Sequence, residues 1–244
     1  MAPDAAFLCA GFPAERFTKP PRRRFGQSLW HTVAGGRGLA NNQEGQPMGE
    51  TNSERTALTE GSSSSATPGF DLQPTLIGET VSLRALHAED FESLYAAASD
   101  ALIWEQHPEP LRYQRAVFEG FFAGALASGG ALVATDKGSG ALIGSSRYYD
   151  WQADAQEVAI GYTFLARSHW GGTTNREMKK LMLDHAFRWA KVVWFHVGSN
   201  NWRSRKAMER IGGTLSHEAR VESNGVAHDY VFYRIEAPKR NIAR

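Results

Sequence analysis

Residues 165–177 read LARSHWGGTTNRE, a glycine pair set between a predicted strand and a predicted helix. Gly171 and Gly172 carry no Cβ, so the backbone there can come close to a phosphate. The helix that follows presents free N–H groups and the positive end of its dipole to the same place, so the spacing points to an anion site. Neither Gly-Lys-Ser/Thr nor GxGxxG is present, which sets aside a nucleotide triphosphate loop and a dinucleotide fold. There is no His/Cys/Asp cluster at metal-ligand spacing and no Gly-x-Ser-x-Gly elbow, so neither a metal centre nor a serine nucleophile is expected. Of the titratable groups, Glu157 heads the strand that leads to the glycine pair, and His169 and His196 flank the same region.

The elements that would position these groups follow from residue 74 onward. Alternation predicts a half-buried strand at 80–86, and acidic residues open a helix at 88–99. A second helix spans 113–128, and 129–150 reads as a hairpin turning at 137–140. A strand at 157–165, a helix at 175–189, a strand at 192–197 and a short helix at 204–211 come next. Two last strands are joined through Asn224-Gly225, a strong hairpin signal. In the long helix Met178, Leu181, Met182, Ala186, Trp189 and Ala190 recur at three- and four-residue steps and face the core. Thr174 and Glu177 stand at capping-box spacing. The order β, α, α, β, β, β, α, β, α, β, β predicts an α/β (α+β) domain with a mixed sheet under helices.

Composition bounds the rest. The chain has 244 residues, 42% of them hydrophobic, which suffices for one sizeable core. A net charge of +1 carries no field for nucleic acid, which is not expected as a partner. The single cysteine, Cys9, excludes an internal disulfide and suits a cytoplasmic location. No apolar run approaches the length of a membrane span. Residues 1–73, rich in Gly, Pro, Ser, Asn and Gln, read as a disordered extension with a basic island, KPPRRRF at 19–25, and Met48 offers an alternative start. The domain is placed at 74–244.

Three separated motifs then carry a resemblance: LIGSSRYYD on the third predicted strand, VAIGYTFLARSHWGGTTNRE through the glycine loop, and NNWRSRKAMERIGG after the fifth. In this order they resemble the Gcn5-related N-acetyltransferase (GNAT) family over about residues 75–236, in particular its branch that acetylates ribosomal-protein N-termini. The resemblance implies a mostly antiparallel sheet of six to seven strands, splayed between the fourth and fifth, with helices on both faces. It implies acetyl-CoA as co-substrate, no metal, and direct transfer to a primary amine of a protein N-terminus or a small molecule. Phe164 and Leu165 would pair with the pantetheine arm, and Trp170, Gly171, Gly172, Thr173, Thr174 and Asn175 would wrap the pyrophosphate. Asn201 and Ser204 would line the pantetheine and thioester region, Ser204 being equally suited to cap the short helix. Trp104, Arg147 and Tyr148 would flank the acceptor groove. Arg176, Lys179, Lys180 and Arg205 would either meet the remaining phosphates or extend into solvent. A monomer or homodimer would serve.

Three departures from the family pattern bear on chemistry. Thr173 replaces the loop's central glycine, so any left-handed residue must be Gly171 or Gly172. Ala159 stands where the branch commonly has glutamate, leaving Glu157, one step away on the same face, to act through water. Met208 stands where many members have a tyrosine acid. A site with so weak a base suits an α-amine, whose pKa near ~8 leaves several per cent neutral at pH 7, against ~10.4 for lysine. The rival reading is an acyl-CoA-binding or partner-binding module that kept the fold and lost the chemistry.

Overall fold

The computed structural model describes residues 69–223 and 226–238. The N-terminal extension up to residue 68, with its basic island and Met48, and the turn residues Asn224 and Gly225 lie outside the described residues. Phe70, ahead of the expected boundary at 74, is packed against the fold. Its ring meets Tyr148 edge-on and contacts Trp151 and His185. The segment is tied down because His185 Nε2 bonds Asp71 O at 2.7 Å and Gln73 donates to Ala131 O.

Eight strands form one sheet in the order β1-β2-β3-β4-β5-β6-β8-β7. They are β1 (Leu76–Ile77), β2 (Val81–Ala85), β3 (Ala131–Asp136), β4 (Leu142–Gln152), β5 (Glu157–Leu165), β6 (Val192–Gly198), β7 (Thr214–Ser223) and β8 (Val226–Glu236). The sequence pattern missed β1, which at two residues is too short to alternate, and so undercounted the strands. Helices α1 (Phe91–Ala98), α2 (Ala101–Trp104), α3 (Arg115–Ala127), α4 (Thr174–Ala186) and α5 (Trp202–Arg210) complete the fold. The four-residue α2 was also missed; Asp100 caps it by accepting from Leu102 N.

Two apolar clusters lie across the sheet. One joins α4 and α5 to strands β2–β6 and β8 through residues such as Leu83, Ile160, Met178, Met182, Phe195 and Met208. The other joins α1, α2 and α3 to the sheet through Leu94, Trp104, Phe118, Phe121, Val133 and Phe164. Opposite placement of these sets follows from strand alternation, which sends Leu132 and Val133 to different clusters.

Every pairing is antiparallel except β5 with β6, which is parallel and as short as Glu157–Ala159 against Val192–Trp194. Beyond Ala159 the two strands separate. A bulge explains the bend: Arg147 pairs with Gly161 and Ser145 with Phe164, so β5 carries one extra residue there. Tyr162 takes the left-handed conformation that the bulge requires, at φ 52°.

Candidate active site

The gap between β5 and β6 opens into a cavity of about 1210 Å³ bounded by α2, α3, β4, β5, the 169–176 loop, β6 and α5. Of the residues singled out from sequence, Trp104, Arg147, Tyr148, Phe164, Leu165, Trp170, Gly171, Gly172, Asn175, Asn201 and Ser204 contribute to its wall. The lining omits Thr173, Thr174 and Glu157.

The loop resolves the question raised by Thr173. Gly171 takes φ 74° and leaves Thr173 at −86°, ordinary right-handed backbone. An added Cβ on either Gly171 or Gly172 would meet nothing within 4 Å, so the glycines leave open space. The expected capping box is absent. Thr173, one residue earlier than predicted, is the N-cap and makes no side-chain cap bond. Glu177 is drawn elsewhere: its carboxylate accepts from the Glu79 and Thr80 backbone and from Thr80 Oγ1, at the turn between β1 and β2. The N-terminus of α4 is therefore not closed by its own side chains.

At the end of β5, Trp170 Nε1 donates to Leu165 O at 2.9 Å, so that carbonyl, expected to be open for pairing, is engaged. Arg203 stacks on the same indole at 4.0 Å and bonds Leu102 O and Ile103 O, joining α5 to α2 across the cavity mouth. Asn201, not Ser204, is the N-cap of α5: its Oδ1 accepts from Ser204 N at 3.1 Å.

The acceptor-side residues divide. Tyr148, though in the cavity wall, is fully buried and donates to Met182 O at 2.6 Å, so it anchors α4. Its neighbours in β4 alternate to the other face. Tyr149 Oη lies 3.0 Å from His196 Nδ1, and the ring covers Gly161, where a Cβ would come within 2.9 Å of it. Burial drives His196 down to about 3, so it is neutral at physiological pH. Trp104 is buried between Phe121, Phe164 and His107, with its indole N–H on Ala98 O. Glu157 accepts from Trp194 Nε1 at 3.0 Å, at the paired end of β5. His169 lies against Ser168 Oγ and Asp136.

Among the charged groups, Arg147 was expected at the groove, whereas Lys179 and Arg112 acquire a significance that the sequence did not give them. Lys179, grouped there with solvated side chains, is 2% exposed. It donates to Thr163 Oγ1 at 2.6 Å and Ser146 Oγ at 3.2 Å and lies over Phe195. Burial lowers its ammonium to about 7. Lys180, one residue on, is exposed and pairs with Asp184. Arg205 likewise bonds within the fold, to Ser199 O and Tyr233 Oη. Arg112 and Arg147, each 8% exposed, stand inside the cavity; burial lowers Arg112 to about 10 and lowers Arg147 as well.

Comparison with known proteins agrees with this architecture. No curated protein sequence matches the chain. Among solved structures, it is similar to a GCN5-related N-acetyltransferase from Brucella melitensis, with 21% identity, TM-score 0.60, and 68% of this chain covering 79% of that one. It is also similar to Mycobacterium smegmatis RimJ in complex with CoA-disulfide, with 18% identity, TM-score 0.53, and coverage of 64% and 82%. A third is the microcin C7 self-immunity acetyltransferase MccE in complex with acetyl-CoA and AMP, with 16% identity, TM-score 0.57, and coverage of 68% and 98%. The model of the acetyltransferase (GNAT) domain matches residues 80–214, more than half of the chain. The chain therefore belongs to the GNAT family of acetyltransferases.

Proposed function

We propose that the protein transfers the acetyl group of acetyl-CoA directly to a primary amine, with the thioester held where β5 and β6 part. The observation that carries this reading is the conjunction of an unpaired β5 edge beyond Ala159 with a Gly171-Gly172 loop leading into an uncapped helix. An extended pantetheine chain adds to such an edge as a strand would. The loop amides and the α4 N-terminus suit the pyrophosphate. The complexes of RimJ with CoA-disulfide and of MccE with acetyl-CoA and AMP support the same choice of co-substrate.

In this mechanism the neutral amine attacks the carbonyl carbon, an N–C bond forms, and the C–S bond breaks to release coenzyme A. Backbone N–H groups of β5 stabilise the developing oxyanion, and the apolar walls strengthen that interaction. The amine loses one proton and the thiolate gains one. Glu157, occupied by Trp194 away from the lining, is at best a relay through solvent. Proton removal then rests on the acceptor's own pKa, which favours an α-amine or another amine that is weakly basic. Asn201 and Ser204, at the start of α5, line the cavity and would face the thioester.

The test is thiol release with a peptide bearing a free α-amine, beside the same peptide blocked at its N-terminus and carrying an internal lysine. A panel of small α-amines runs in parallel. The proposal expects turnover with α-amines and little with the blocked peptide. Robust acetylation of the lysine alone would contradict it, and acetyl-CoA binding without turnover on any amine would favour the non-catalytic module.

A further inference from the structure

At the end of the cavity where β5 parts from β6, the wall holds two guanidinium groups that no carboxylate among the described residues pairs with. Arg147 projects from β4 beside its register partner Gly161, with its guanidinium 4.1 Å from the Tyr162 ring centre and 5.9 Å from that of Phe121. Its side chain makes no hydrogen bond among the described residues, and its Nε is shut off from solvent with no partner. Arg112, from the turn before α3, lies 4.7 Å from the ring centre of the same Phe121 and 5.6 Å from that of Trp104. Neither arginine forms an ion pair with a carboxylate among the described residues. Leaving a buried cation unpaired is costly. Aromatic faces recover part of that cost.

The contact between Arg112 and His107 sharpens the case. Arg112 Nη1 lies 3.1 Å from His107 Nε2. The other ring nitrogen, Nδ1, already accepts from Glu109 N at 2.8 Å. Burial and the neighbouring Arg112 hold His107 well below its usual range, so the ring is neutral and has one acceptor nitrogen. That acceptor is Nδ1, which leaves the proton on Nε2. Two N–H donors, from Arg112 and His107, therefore face one another. Such a pair is satisfied by an oxygen acceptor placed beside it, within reach of both nitrogens.

We propose that Arg112, Arg147 and His107 form an anion subsite for the acceptor, so that the amine acetylated here belongs to a small molecule carrying a carboxylate or phosphate close to its nitrogen. The proposal rests on the acetyl-transfer reading above and specifies its substrate class. The place of the subsite supports this. Arg147 stands beside the Gly161–Tyr162 bulge where the strands open, whereas the pyrophosphate loop lies past the far end of β5. An anion at the arginines and an amine at the thioester can thus belong to one compact acceptor. Arginine donors in a dry site recognise both carboxylate and phosphate. Glu109, the acidic side chain nearest in sequence that lines the cavity, favours cationic Arg112 without pairing with it. Transfer is balanced as before: the amine nitrogen exchanges one hydrogen for the acetyl group, and the proton leaves with the coenzyme A thiolate.

The experiment measures thiol release on matched acceptors with the full chain: glycine and alanine against their amides, and phosphoethanolamine against ethanolamine. Acetyl-CoA binding is followed separately by calorimetry. Compared per neutral amine, because a neighbouring anion makes the nitrogen more basic, an anion-bearing acceptor should exceed its uncharged partner in kcat/KM by about 10- to 100-fold, the worth of a charge-assisted hydrogen bond in a dry site. The carboxylate and phosphate arms identify the source of the anion. Arg147→Gln should bring the ratio within each pair close to one through KM, while retained acetyl-CoA affinity shows that the variant is folded. Inorganic phosphate titrated into the CoA-saturated protein gives a reading without turnover, with heat in the wild type and none in Arg147→Gln. Equal rates on charged and uncharged acceptors, with turnover intact, would overturn the subsite and leave acetyl transfer standing. Failure to bind acetyl-CoA would instead overturn the function proposed above.

Discussion

Replacing Lys179 by methionine should stabilise the protein, and by an amount that depends on pH. The side chain is 2% exposed and has two hydroxyl partners but no counter-ion among its bonds. Burial places its pKa at about 7, against about 10.4 in an unfolded chain. Between these values the unfolded state binds a proton that the folded state does not, so stability rises with pH across the window. At 1.36 kcal/mol per unit, the charge costs the fold up to about 4–5 kcal/mol at pH 6 and about 2 kcal/mol at pH 9. Methionine has similar length and no charge, and Ser146 and Thr163 retain their mutual bond at 2.8 Å, so the pH-independent loss is small. Urea denaturation of wild type and Lys179→Met at pH 6, 7.5 and 9 measures the difference directly. The advantage of the variant should shrink by about 2–3 kcal/mol from pH 6 to pH 9. A difference that stays flat over this range would show that Lys179 keeps its ordinary pKa and would refute the reasoning.

Other outcomes follow from single contacts. Glu177→Ala frees the turn at residues 79–80 and should cost about 1–2 kcal/mol in denaturant melts. Burial opposes its ionisation, but the bonds from Thr80 and Glu79 hold the carboxyl below its usual range. That contribution is present above the ordinary carboxylate pKa and lost as pH falls through the lowered one, which an acid titration of stability would follow. Asn201→Ala removes the cap of α5, which should cost about 1 kcal/mol and weaken acetyl-CoA binding measured by calorimetry. Gly161→Ala drives a Cβ into the Tyr149 ring at 2.9 Å. Overpacking of this kind costs about 1–3 kcal/mol. It should also break the Tyr149–His196 bond, with kcat/KM lowered while acetyl-CoA affinity is retained.

Much of the scaffold could be read from the residues themselves. The strand at Glu157–Leu165 was placed to the residue because apolar alternation is bounded there by polar residues and the glycine loop. The aversion of β-branched Thr173 to positive φ confined any left-handed residue to Gly171 or Gly172, and it falls on Gly171. What remained hidden depends on contacts between distant segments. Glu177 looked like a capping partner because Thr174 is three residues away, yet the turn before β2 supplies better donors. Lys179 lies beside Met178 and one helical turn before Met182 and Leu183, so the helical period carried a signal; its charge concealed it. Arg112 had no such signal. It lies in a turn of 3-10 helix at Pro110–Tyr113 with no periodicity, and its meeting with Arg147 depends on how α3 lies over β4 and β5.

The central claim is that the glycine loop and the parted strands hold acetyl-CoA. Calorimetric titration of acetyl-CoA into the full chain, beside Gly172→Glu, tests it most directly. A Cβ at Gly172 meets nothing within 4 Å, so the glutamate starts into open space and acts through its charge and bulk in the loop. The account predicts micromolar binding by the wild type and its loss in the variant, with both proteins equally stable. Equal binding by the two would place the pyrophosphate elsewhere, and no binding by the wild type would contradict the account as a whole.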